Sequence, residues 1–323
     1  MKFNYQTICV KPLNELPERT KNIIERRFGL VGVETLEAIG RDYGITRERV
    51  RQIESDGLSK MTKKLGKNHE VFKHLKDFLK NFGGLRREDI LIKELGGNQF
   101  QPQALLLLNL SKELKKHSAN NNFYTFWTID NSYFELAKKN INILTKELKD
   151  SKQTMDIKDC AEKLNIKPKV LISYLEISKV IEKGPEGRYG LSDWPEINPR
   201  GVKDKAYLVF KRLIKPLHFS EVASLIGEKA LVQTVHNELI RDPRFVLVGR
   251  GIYALSEWGY QPGTVKDVIF SILKESKTSL SKDEVLGRVL EKRLVKENTI
   301  LLNLSNKDHF SKDTGGKYQL RDA

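Results

Sequence analysis

The chain of 323 residues has little cysteine. Cys9 and Cys160 lie far apart and neither belongs to a CxxC pair. That excludes a disulfide framework and a structural zinc site of ordinary spacing, so each cysteine reads as a small buried hydrophobe. Long apolar runs are also missing. ALLLLNL at 104–110 is the longest, well short of the roughly 18–20 residues that span a bilayer. The opening MKFNYQTICVKPLNELPER has no apolar core of the secretory kind. Catalytic signatures are absent in turn: no nucleophile elbow, no HExxH, no paired-carboxylate nuclease motif and no phosphate loop. The pairs Gly83-Gly84 and Gly96-Gly97 read as turns between helices rather than nucleotide loops. A non-enzymatic chain is expected, without cofactor, metal, membrane partner or small-molecule substrate.

What is abundant is positive charge. Lys plus Arg is 57 against 42 for Asp plus Glu, giving +15. The excess is spread out: +5 over 1–68, +3 over 69–199, +4 over 200–260 and +3 over 261–323. A polyanion passing several modules would match such a distribution, and duplex DNA is the obvious one. A lysine-rich solvated surface gives the same counts, so charge alone does not decide.

The stretch TLEAIGRDYGITRERVRQIESDGLSKM, 35–61, decides more. Thr35 fits an N-cap before an apolar pattern of Leu36, Ile39 and Tyr43. Gly44 suits a left-handed helix end, and Thr46 fits a second N-cap. Val50, Ile53, Leu58 and Met61 then form one stripe, with Gly57 beside it for close packing. Helix, tight turn, helix is the plan of a helix-turn-helix. On the outer face of the second helix stand Arg47, Glu48, Arg51, Gln52 and Ser55. Arg can bond the guanine O6/N7 edge, Gln can pair with adenine, and Glu can accept from the cytosine amino group. Such a mixed face can discriminate bases, whereas a lysine-only face grips phosphate.

LPERTKNIIERRFGL followed by ETLEAIGRDYGITRERVRQIESDGLSKM resembles region four of bacterial primary-type sigma factors over about residues 13–65. The resemblance implies base reading of a −35-like element by Arg47, Glu48, Arg51 and Gln52. It implies backbone contacts at Arg27, Thr35, Leu36, Glu37 and Arg49, which agrees with phosphate binding at a helix start. It also implies a contact with the beta flap of RNA polymerase core, and a cytoplasmic, nucleoid-associated protein. Only about a dozen residues precede the module. A promoter-melting domain has no room there, so a sigma-like regulator is expected rather than a factor that initiates alone.

After residue 68 a pattern recurs. VIEKGPEGRYGL (180–191), RFVLVGRGIYAL (244–255) and HFSKDTGGKYQL (309–320) each combine an apolar start, a Gly turn with a basic residue, and Tyr-x-Leu. They read as β-hairpin wings. FYTFWTIDNSYFEL (123–136) reads as a weaker fourth, turning at Asp-Asn. Helical pairs precede each wing at a repeat of about 55–65 residues, the size of a winged helix-turn-helix. Candidate wing contacts are Lys183, Arg188, Arg250 and Lys317, with Arg241 and Arg244 also near phosphate. His218 and His236 lack ligand spacing and read as packing or surface groups, and Trp194 and Trp258 as core anchors closing the wings. PLHFSEVASLI with TVHNELIRDPRFVLVGRGIYALSEWGY resembles the HARE-HTH family over about 205–260. That family occurs with RNA polymerase delta subunits, restriction systems and chromatin proteins.

The expected fold is mainly α, with tandem helix-turn-helix and winged-helix modules carrying small β-hairpin wings. The expected divisions are 1–66, a sigma region four-like helix-turn-helix; 67–148, helical, a candidate winged-helix unit; 149–197, a winged-helix unit; 198–260, the HARE-HTH unit; and 261–323, a C-terminal winged-helix unit. The leading function is sequence-specific binding of double-stranded, promoter-like DNA to regulate transcription together with RNA polymerase. The alternatives are a DNA-recognition or sensor subunit of a defence or DNA-modification system, and a polymerase-binding scaffold.

Overall fold

The computed structural model describes residues 3–66, 70–227, 230–276 and 278–321. They fall into two compact units, Met1–Asp193 and Trp194–Ala323. The first begins with four helices: α1 (Tyr5–Asn14), α2 (Glu18–Phe28), α3 (Leu36–Asp42) and α4 (Arg47–Leu65). Next come α5 (Glu70–Lys80), β1 (Leu85–Arg87), α6 (Glu88–Gly96), α7 (Gln101–Leu110), β2 (Lys115–His117) and β3 (Phe126–Thr128). The three strands pair antiparallel in the order β1-β3-β2, which makes this segment a winged helix. A second follows: α8 (Asn131–Ser151), α9 (Ile157–Leu164), α10 (Pro168–Ile177), β4 (Ile181–Lys183) and β5 (Tyr189–Leu191).

The second unit repeats the plan twice. Its elements are α11 (Gly201–Leu213), β6 (Leu217–His218), α12 (Phe219–Ile226), α13 (Val232–Arg241), β7 (Phe245–Gly249) and β8 (Ile252–Leu255). Then come α14 (Val265–Ser276), α15 (Lys282–Lys292), α16 (Glu297–Leu304), β9 (Phe310–Lys312) and β10 (Tyr318–Leu320). Each has its own buried cluster, one around Phe210, Leu217 and Val235, the other around Ile269, Val285 and Ile300. Among the described residues no helix is long and apolar enough to cross a membrane.

Three of the four expected wings form, with Ile181 opposite Leu191, Phe245 opposite Leu255, and Phe310 opposite Leu320. The stretch 123–136 does not turn at Asp130-Asn131. Asp130 is instead the N-cap of α8, its Oδ1 accepting from the Ser132 amide at 2.8 Å. Asp before a helical apolar period favours a cap over a hairpin turn. Phe126–Thr128 pairs with Lys115–His117, so the wing lies one strand earlier than the sequence suggested.

Two expected divisions also cross continuous packing. The one at 148/149 cuts α8, whose buried Ala137, Ile141, Leu144 and Leu148 make it the first helix of the second winged helix. The one at 66/67 adjoins residues 67–69, which lie outside the described residues. On either side of it a single core joins Cys9, Leu13, Ile24, Phe28 and Met61 to Val71, Leu75, Leu107 and Leu110. Thr62 Oγ1 donates to the Leu110 carbonyl at 3.2 Å across the same seam.

Candidate nucleic-acid interface

Local chemistry fixes the helix-turn-helix. Thr35 caps α3 by accepting from the Ala38 amide at 3.1 Å, and Thr46 caps α4 by accepting from the Arg49 amide at 3.2 Å. Gly44 turns the chain between them at φ +62°. Gly40 lets the turn fold back: a Cβ there would meet the Ile45 carbonyl oxygen at 2.7 Å. Ile23, Ile39 and Val50 are buried beneath, with Leu36, Tyr43, Ile45 and Ile53 around them. At Gly57 a Cβ would stand 2.7 Å from both Ile24 and Thr20, so α2 and α4 touch where no side chain fits.

The outer face of α4 then follows from helix geometry. Arg47, Glu48, Arg49, Arg51, Gln52 and Ser55 are all exposed. They are not idle in the free protein. Arg51 grips Glu48 through two bonds, Nε to Oε2 at 2.9 Å and Nη2 to Oε1 at 2.7 Å. Arg49 Nη1 donates to Gln52 Oε1 at 3.0 Å. The Arg51 bond holds the Glu48 carboxyl below the ordinary carboxylate value and raises Arg51 in return. A groove would be met by two pre-aligned pairs, each able to exchange its partner for a base edge or a phosphate.

The expected backbone residues divide. Thr35, Glu37 and Arg49 are exposed around the starts of α3 and α4. Leu36, the first residue of α3, is half-buried against Ile23, Ile39 and Val50. Arg27 is turned inward: Nη1 donates to the Glu34 carbonyl at 2.8 Å and Nε pairs with Glu54 at 3.3 Å. It braces α2 against the α3 entry and α4. Beside it is a residue the sequence reading passed over. Arg26 binds Glu34, with Nε to Oε1 at 2.6 Å, and also Asp42, clamping both ends of α3. Its partners lie eight and sixteen residues on, spacings that no single helix brings together.

The wing residues are scattered over different winged helices. Lys183, Arg250 and Lys317 are exposed at hairpin tips. Arg188 is exposed too, but Nε binds Thr154 Oγ1 at 2.9 Å and Nη2 the Thr154 carbonyl at 2.5 Å, tying its wing to the start of α9. Arg244 is bound to Asp242 and Asp204, whereas Arg241 is exposed. His218 caps α12 through Ser220, and His236 stacks on Phe219 with centroids 4.3 Å apart. Trp258 meets Phe210 edge-on, while Trp194 is half-buried. Cys9 is buried, and desolvation pushes its thiol up to about 12. Among the described residues no group of three or more His, Cys, Asp or Glu is placed to hold a metal ion.

Residues 13–63 match the family Sigma-70, region 4. RNA polymerase sigma factor SigA of Listeria monocytogenes is 44% identical over 69 residues, 21% of this chain and 17% of that protein. SigA of Listeria innocua is also 44% identical over 69 residues, with the same shares. RNA polymerase sigma factor RpoD of Helicobacter pylori is 52% identical over 52 residues, 15% of this chain and 8% of that protein. The chain thus spans less than a fifth of the length of the curated relatives it matches. The matches support a DNA-binding, transcription-related role for the helix-turn-helix.

Proposed function

We propose that the chain is a sequence-specific binder of double-stranded DNA that regulates transcription. α4 reads a −35-like element and RNA polymerase core is its working partner. One observation carries this: a sigma region four-like helix-turn-helix presents Arg47, Glu48, Arg51 and Gln52 as an exposed, mutually aligned face on a buried frame. Arg49, the Thr35 hydroxyl and the backbone amides of Leu36 and Glu37 supply phosphate contacts, with Arg27 acting as a brace behind them. The polymerase partner, through its beta flap, is inferred from the sigma factor relatives. The segment 205–260 is proposed as a HARE-HTH unit.

For that segment a protein-binding role has specific support. α13 and its cap residue expose Leu231, Val232 and Ile240 beside the uncharged Gln233, Thr234 and Asn237, and the one Lys or Arg of the helix is Arg241 at the end. A weakly charged helix surface with exposed aliphatic groups suits a protein better than a phosphate backbone. The experiment is selection of bound sites from a random duplex pool with the full chain, beside the Arg51→Ala and Gln52→Ala variants. A TTGACA-like consensus that blurs in the variants supports the reading. A consensus identical in all three proteins refutes it. Co-purification with RNA polymerase core, rather than with a nuclease or methylase, separates transcription from defence.

A further inference from the structure

In a DNA-reading helix-turn-helix, the second helix of the pair enters the groove. The two winged helices of Met1–Asp193 each contain such a pair, α6–α7 and α9–α10. Neither second helix is free. No residue of Gln101–Leu110 is exposed and none is charged. α7 packs on α1, α2 and α4, where Cys9 Sγ lies 3.8 Å from the Gln103 carbonyl and Thr62 bonds the Leu110 carbonyl. Its apolar side chains complete the core behind the helix-turn-helix.

α10 is used up in the same way, one module further on. Leu171, Ser173, Tyr174, Leu175 and Ile177 are buried. Ser173 Oγ donates to the Leu85 carbonyl at 2.6 Å, and Tyr174 OH to the Gly83 carbonyl at 3.3 Å. A Cβ on Gly83 would stand 2.4 Å from Val170, and one on Gly84 2.3 Å from Tyr133, so the joint closes on bare backbone. Beside it the buried Arg86 binds Glu94 on α6 and Glu176 on α10. Even the exposed Lys169 leans back, with Nζ 4.3 Å above the Phe82 ring. A helix with these partners cannot also lie in a groove without breaking the core that holds it.

We infer that α7 and α10 are internal docking helices. The two winged helices of Met1–Asp193 form a rigid mount that presents α4 and read no bases themselves. The inference builds on the proposed reading of duplex DNA by α4. Its test is amide hydrogen exchange on the full chain, free and bound to its selected duplex, with site selection repeated on a Lys167→Ala/Lys169→Ala double variant. Residues 104–110 and 171–177 should exchange as slowly as the core of α2 in the free protein. DNA should leave them unchanged within about twofold, while 47–55 slow at least tenfold. The double variant should select the wild-type consensus. DNA-induced slowing within 104–110 or 171–177, or consensus positions lost in the double variant, would overturn the inference. If no duplex is selected at all, the proposed function fails. The free-state exchange then decides: slow exchange in both segments supports docking, and rapid exchange refutes it.

Discussion

Leu107→Ala tests whether the helix-turn-helix and the winged helix that follows it are one cooperative body. Leu107 is fully buried on α7 in the cluster that also holds Cys9, Ile24 and Met61. It shares a helical face with Gln103 and Leu110, whose carbonyls meet α1 and α4. Cutting Leu to Ala in a packed core costs about 2–5 kcal/mol, because the cavity relaxes only partly. At 1.4 kcal/mol per tenfold, that raises the opening equilibrium by roughly thirtyfold to several thousandfold. The readout is native-state hydrogen exchange at α2 and the buried turns of α4, which lie on the other side of residues 67–69. Those amides should speed by the same factor as α7 itself. Affinity for the selected duplex should weaken only as far as the folded fraction falls. If α4 exchange is unchanged while α7 loosens, residues 3–66 fold on their own and the shared core contributes nothing to them.

Arg51→Ala removes an exposed group, so the thermal midpoint should hardly move, while discrimination against the wrong base should drop about five- to a hundredfold in competition binding. A fall in stability without a change in preference would make Arg51 a brace instead. Arg27→Ala should behave in the opposite way. Loss of its bonds to Glu34 and Glu54 should cost about 1–3 kcal/mol in urea unfolding, with the consensus preserved. The Cys9 thiol, raised by desolvation to about 12, should resist thiol reagents at neutral pH in the native chain and react only on unfolding. Hydrogen bonds from Arg244 hold the Asp242 carboxyl below its ordinary value. Its contribution should therefore be complete above about pH 4–5 and fade as pH falls through the lower folded value, so Arg244→Gln should flatten the acid limb of a stability–pH curve.

The sequence by itself determined what depends on near neighbours. The caps at Thr35 and Thr46, the turn at Gly44 and the stripe of Val50 and Ile53 are all local. They place Arg47, Glu48, Arg51 and Gln52 on one outer face whatever lies behind. Three wings were equally legible, because a Gly turn between apolar strands specifies its own pairing. The fourth was not: Asp130-Asn131 suits a hairpin turn or a helix cap, and the helix behind it wins through buried contacts of Ala137, Ile141 and Leu144. Arg27 was expected at the DNA backbone and nothing in the sequence singled out Arg26; only the return of Glu34, Asp42 and Glu54 in space makes Arg26 a clamp and Arg27 a brace. The largest difference concerns the winged helices. ALLLLNL announces a buried helix but not what buries it. Only the tertiary structure put α1, α2 and α4 against α7, and β1 against α10. Hydrophobic burial is non-directional, so the pattern fixes which face is hidden and leaves the partner to the fold.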